Sequence, residues 1–266
     1  MNGHYKMINP LHWSKLETAN LTEMLVYLGK SPLAEKYLTD ELAWVITGVL
    51  SNDYNGVAWF RLTKSNVNPI IAEILERFSS RKVPFVWHVE SDSRPADLAR
   101  RLEVYGCRRL RPGVCMGADL STLNEKMRNM PGLAITRVTD EIDLAAWMDV
   151  WMHFDDGERE PRERLYASLG LSGDQPLRHY LARLDEQPVG VSQLFLGHET
   201  AGLYCIGVLP EARQKGIGTA LTLAPLRDAR TLGYRLGVLG PTHESQRMYQ
   251  RIGFELFPST SVDYDR

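Results

Sequence analysis

Between residues 200 and 240 the spacing of apolar positions changes twice. Leu203-Tyr204-Cys205-Ile206-Gly207-Val208 is a continuous apolar run of strand length. From Gly216 onward Ile217, Leu221, Ala229 and Leu232 recur on one helical face, and Tyr234–Leu239 is again a short apolar run. Strand, crossover helix and strand in that order predict a parallel pair. Pro225 falls on the helical stripe and is expected to kink it, and Gly233 is expected to end it. Upstream, the pattern predicts a strand over Leu133–Val138, helices over about 140–152 and 160–169, and strands at His179–Leu184 and Val189–Leu196. Turn residues at Asp185–Pro188 and Gly197–Thr200 make hairpins of the strands they separate.

The same order occurs 150 positions earlier. A strand-like Gly56–Leu62 precedes Thr63–Asn68, which falls on Arg213–Gly218. Ile70, Ile71, Ile74, Leu75 and Phe78 then form one helical face, and Pro84–Val89 falls on Tyr234–Leu239. A further helix carries Pro95, Leu98, Leu102 and Tyr105, and ends at Gly106-Cys107 where the later copy has Gly253-Phe254, after an adjustment of about three residues. Order and spacing point to an internal duplication, although strand-helix-strand-helix is common enough to coincide by chance. The division expected from it is residues 1–120, a turn-rich linker at 121–132, and residues 133–266.

Chemistry is concentrated in one copy. A chain that leaves a strand, turns through Gly216 and Gly218 and enters a helix aims unpaired N–H groups at one point, where the helix dipole adds positive charge. Arg213 and Lys215 add formal charge beside it. The earlier copy has Asn66 and Asn68 in place of the glycines, only Lys64 of the basic pair, and Leu102 in the place of Tyr249.

Val208–Leu221 resembles the acyl-CoA-binding motif of the GNAT superfamily of N-acetyltransferases, and Ser245–Phe254 resembles that family's second signature. The resemblance covers about residues 133–264. It implies an α/β protein of two GNAT-like domains, each a central mixed, mostly antiparallel sheet with flanking helices, the first having lost its cofactor. It further implies acetyl-CoA as co-substrate, with contacts from Ile206, Gly207, Val208, Arg213, Gln214, Lys215, Gly216, Ile217, Gly218, Thr219, Ala220, Thr242 and Ser245. In such a site the strand before the loop pairs with the pantetheine arm, and one of its N–H groups polarises the thioester carbonyl. Gly207 inside that strand suits a bulge or a close approach.

Tyr249 falls where the family often has a tyrosine that protonates the departing thiolate; a core tyrosine would show the same spacing. Thr242 follows Pro241 and is expected to cap the helix, where the family often has Asn on the CoA arm. No carboxylate lies on Leu203–Val208, and Glu199 is too near a hairpin tip, so the general base is left open. The resemblance implies that His153-Phe154-Asp155-Asp156-Gly157-Glu158-Arg159-Glu160 covers the acceptor; its four acids either attract a cationic amine or belong to a solvated helix start.

A net charge of −2 on 266 residues offers nothing to neutralise phosphates, which argues against a nucleic-acid partner and against an aminoacyl-tRNA donor. No apolar run spans a bilayer, and the polar Met1–Lys6 does not resemble a signal peptide, so a cytoplasmic protein without a membrane partner is expected. Cys107, Cys115 and Cys205 suggest no metal site and read as free thiols, Cys205 as a small buried side chain; Cys107 and Cys115 could also face each other across a hairpin. The expected activity is acetyl transfer to the primary amine of a small molecule or peptide in a ternary complex, from a monomer or a homodimer. The alternative is a non-catalytic acyl-CoA sensor.

Overall fold

A computed structural model describes residues 9–63, 67–111, 113–127 and 129–266. The comparison of Lys64 and Asn66 with the later loop, and the reading of Met1–Lys6, lie outside those residues.

The elements in chain order are α1 (Pro10–Leu28), β1 (Glu35–Leu38), β2 (Leu42–Ile46), β3 (Asn55–Phe60), α2 (Asn68–Arg81), β4 (Val86–Val89), α3 (Leu98–Val104), β5 (Arg108–Arg109) and β6 (Val114–Asp119). There follow β7 (Leu133–Arg137), α4 (Glu141–Trp151), α5 (Arg159–Leu169), β8 (Leu177–Leu184), β9 (Gln187–Leu196), β10 (Thr200–Val208), α6 (Ile217–Thr231), β11 (Leu236–Leu239), α7 (Gln246–Ile252), β12 (Glu255–Pro258) and β13 (Val262–Asp265). One sheet runs β1-β2-β3-β4-β13-β5 and the other β12-β6-β11-β10-β9-β8-β7. Each has a single parallel pair, β3 with β4 and β10 with β11, bridged by α2 and α6 respectively. Every other pairing is antiparallel.

The two sheets share one strand order, but they do not divide at residues 121–132. β6 lies between β11 and β12 of the second sheet, and β13 lies between β4 and β5 of the first. Each half therefore lends its last strand to the other. An unfilled gap between β11 and β12 would leave two ladders of N–H and C=O groups unpaired, and β6 satisfies both. The segment 121–132 is no loose tether either. Asn124 donates from its backbone N–H to Ile252 O (2.8 Å), and Glu125 accepts from Arg227 and Arg230 (2.7 and 2.6 Å).

α1 fills the space between the sheets. Trp13 and Leu16 pack with Cys115, Val238 and Phe257 of the second sheet, while Leu25 packs with Ala43, Val45 and Ala58 of the first. Trp13 lies against bare backbone: a Cβ on Gly117 of β6 would meet its ring at 2.2 Å. Full burial of such side chains stabilises by roughly 1.5–3 kcal/mol each, so α1 holds the halves together through their cores.

The three cysteines are free; Cys107 and Cys115 are buried in different clusters and do not face each other. Cys205 keeps partial exposure as a residue on the bulged strand, while its thiol is enclosed by protein, in line with the small buried side chain expected.

Candidate active site

β10 and β11 pair only as far as Leu203 and Leu239. Beyond that point β10 continues alone on this edge to Val208, still paired with β9 on its other side. Cys205 and Ile206 together oppose the single residue Ser192 of β9, and Cys205 adopts φ +49°. This is the bulge that Gly207 suggested, and it re-aims the backbone of the open edge. The Gly207 backbone lies against the Phe154 ring, which follows α4.

After β10 the chain makes a one-turn 3-10 helix at Pro210–Ala212 and enters α6 through Gly216, whose φ of +96° strongly favours glycine. No side chain caps α6. The first N–H groups of this 15-residue helix therefore keep their donor capacity free, with the dipole behind them. Arg213 Nε donates to Val208 O (3.0 Å), which pins the loop to the end of the strand.

These features border one cleft of about 790 Å³. Ile206, Gly207, Val208, Arg213, Gln214, Gly216, Ile217, Gly218, Thr219, Thr242, Ser245 and Tyr249 all line it. Lys215 is exposed and Ala220 is buried within α6, and neither reaches the lining. Nine further wall residues were not among the expected contacts: Asn124, Lys126 and Met127 from the inter-half segment, Phe154, Ala212, Glu244, Met248, Arg251 and Ile252. Lys126 and Arg251 carry formal charge to the cleft; a turn-rich stretch read as a linker gave no sign of this.

Thr242 does not cap α7. Its Oγ donates to Ser245 Oγ (3.0 Å), Ser245 Oγ donates to Thr242 O (3.0 Å), and the helix begins one residue later at Gln246. The turn closed by Ser245 N–H on Thr242 O takes the place of a cap. Tyr249 is buried among Met116, Leu203, Ile252 and Phe254 while its side chain also borders the cleft. Burial pushes its phenol up to about 12, with the Ser245 hydroxyl opposing the shift, so the group keeps its proton throughout the working range.

In the first half two of the corresponding positions are described, and both are filled. Asn68, in the place of Gly218, accepts from Arg101 Nη1 at 2.7 Å, and Leu102 is fully buried. Of the acidic run, Asp156, Glu158 and Glu160 are exposed, whereas Asp155 turns inward onto the fully buried Arg162 (2.7 Å). Among the described residues no helix is long and apolar enough to cross a membrane.

Residues 142–254 match the model of the Acetyltransferase (GNAT) family. No curated protein matches the chain. Solved structures match it over nearly its whole length. A GCN5-related N-acetyltransferase from Kribbella flavida has a TM-score of 0.68 at 16% identity, covering 94% of this chain and 95% of that one. A tandem GNAT protein from the clavulanic acid biosynthesis pathway, solved without AcCoA, has a TM-score of 0.61 at 14% identity, covering 96% and 93%. A functionally unknown conserved protein from Staphylococcus epidermidis has 0.57 at 17%, covering 87% and 92%. At these identities the likeness is one of fold. Residues 142–254 therefore form a domain of the acetyltransferase (GNAT) family, and the chain as a whole has the fold seen in the tandem GNAT protein.

Proposed function

We propose that the second half transfers an acetyl group from acetyl-CoA to a primary amine by direct attack in a ternary complex. One observation carries this reading: the uncapped start of α6, the bulged open edge of β10 and the phenol of Tyr249 share a single cleft. Diphosphate suits unpaired N–H groups at a helix start, and an amide-bearing arm suits an unpaired strand edge. The backbone beside Gly207 is the place to polarise the thioester carbonyl, and Tyr249 is placed to protonate the departing thiolate. Lys126 and Arg251 are offered to the remaining phosphate charge. Bound acetyl-CoA supplies an acyl carbon activated by sulfur; the chain's residues hold it, exclude water from it and deliver one proton.

This cleft lies in the second half, so one acetyl-CoA per chain is expected. Three free thiols suit the reducing cytoplasm, where we place the activity. Calorimetry tests the cofactor site. The intact chain should bind acetyl-CoA one to one, and Gly216→Glu should weaken binding at least tenfold, since each charged-group hydrogen bond is worth roughly 1.5–3 kcal/mol. Unchanged affinity in a folded Gly216→Glu variant would remove the assignment.

A further inference from the structure

On the face of β10 opposite Tyr249, Tyr204 and Cys205 look toward the other half of the molecule. Tyr54 of the first half and Phe154 of the second pack in one cluster with Tyr204 and Cys205, and Arg162 lies over the Tyr54 ring. Asp53, next to Tyr54, is exposed at this junction, which forms a recess between the halves. Five carboxylates from five segments act on one another around this junction. Glu17 comes from α1, Asp53 from the β2–β3 connection, Glu90 from the end of β4, Asp155 from the α4–α5 loop, and Asp263 from β13.

The countercharge present is small. Arg162 pairs with Asp155, and His88 Nδ1 lies 2.9 Å from Asp263 Oδ1. His88 also acts electrostatically on Asp53, Glu17 and Glu90. Lys15 faces Glu90 from outside.

Two of the carboxyls are left without partners. Glu90 Oε1 is buried with no hydrogen bond. Glu17 has no hydrogen bond or ion pair among the described residues, although protein encloses its carboxyl. Glu17 Oε1 lies 4.0 Å from where a Cβ on Gly240 would stand, just past Leu239, where β10 and β11 part. The carboxyl therefore sits at the opening between the strands, on the side away from the cleft. No three such groups are close enough to hold one metal ion among the described residues. A row of separated carboxylates suits an extended ligand with several positive charges.

We propose that this recess between the halves receives the acyl acceptor, that the acceptor is an amine bearing at least two cationic nitrogens, and that Glu17 removes the proton from the nitrogen that is acylated. The proposal rests on the acetyl-transfer reading above. The ammonium gives one proton to the Glu17 carboxylate, and the freed nitrogen attacks the thioester carbon to form the C–N bond. The C–S bond breaks, and the thiolate takes the proton of Tyr249. Glu17 then releases its proton to solvent, and the second proton of the attacking nitrogen, shed as the amide forms, restores Tyr249. The net products are an amide, free CoA and one proton. Asp53, Glu90 and Asp263 hold the second cation.

Binding, measured without acetyl-CoA, separates this proposal from the reaction itself. Putrescine and n-butylamine, equal in length and different by one charge, are titrated calorimetrically into the intact chain. Spermidine and 2-deoxystreptamine then distinguish a flexible chain from a ring. At least one di- or polycation should bind tenfold or more tightly than n-butylamine, and both Asp53→Asn and the isosteric Glu17→Gln should lose at least tenfold of that affinity. With acetyl-CoA present, thiol release by Glu17→Gln should fall in kcat at pH 7 and recover in part at higher pH. Equal binding of mono- and dications, or variants that bind as the parent does, would overturn the acceptor site. A dication that binds normally to a chain that cannot bind acetyl-CoA would instead overturn the proposed transfer reaction, and the Glu17 proton-transfer step with it.

Discussion

A Cβ placed on Gly207 would stand 2.5 Å from Cε2 of Phe154. The ring is therefore seated on bare backbone at the bulge of β10, where the acyl group of a bound thioester would lie. Phe154 is expected to limit acyl length. Phe154→Ala should raise the ratio of butyryl-CoA to acetyl-CoA turnover at least tenfold, measured as kcat/KM by free-thiol release. An unchanged ratio would place the acyl chain elsewhere. Gly207→Ala forces ring and strand apart, and overpacking of this kind costs about 1–3 kcal/mol.

Tyr249→Phe keeps the ring against Phe254 and removes only the hydroxyl. The proton is needed as the thiolate departs, so the loss should fall on kcat, by on the order of 10²–10⁴, with acetyl-CoA affinity nearly intact. Because burial holds the phenol near 12, Tyr249 should add no falling limb to the parent's rate profile between pH 7 and 10. Wild-type turnover in the variant would reduce Tyr249 to packing.

Glu17 should be visible in stability as well as in rate. Burial and the neighbouring Asp263 and Glu90 lift its pKa to about 7 from 4.5, against an opposing pull from His88. Between those values the folded chain holds a proton that the unfolded chain has lost. The group's contribution is therefore full below pH 4.5 and is lost as pH rises toward 7, by at most about 3 kcal/mol. Glu17→Gln should flatten that slope, so urea midpoints at pH 5 and pH 8 should differ less than in the parent. An equal difference in both proteins would show that Glu17 titrates normally.

Residues 133–266 alone should not give an ordered second half, because that fragment lacks the β6 strand that sits between β11 and β12. Coexpression of a chain divided within residues 121–132 should instead give two fragments that purify together in equal amounts. Soluble, independently folded fragments on gel filtration would contradict the exchange.

Local chemistry was readable and long-range placement was not. Arg213–Gly218 announces itself because loop, dipole and charge are set by neighbours in sequence, and most of the expected contacts do line one cleft. The order of strands in each half was also legible, since it follows from short connections. The residence of β6 in the other half's sheet was not: alternation records a buried face, never the identity of the neighbouring strand. Nor does α1 advertise its role, for a helix buried between two sheets is apolar on several sides and shows no single stripe. Glu17 and Asp53 are ordinary acids until the fold encloses their carboxyls and raises their pKa values.

The exchange of β6 and β13 also fixes the order in which this molecule can be completed. β5 has only β13 as a partner, and β13 is made roughly 150 residues later. While the second half is being synthesised, the first sheet stands open beside β4, with an unpaired ladder facing solvent. Folding must therefore wait for contacts of long sequence separation, which slows it and exposes edges meanwhile. The two halves are one cooperative unit from the moment they fold, and a nascent first half is the stage at which this chain most needs protection from its neighbours.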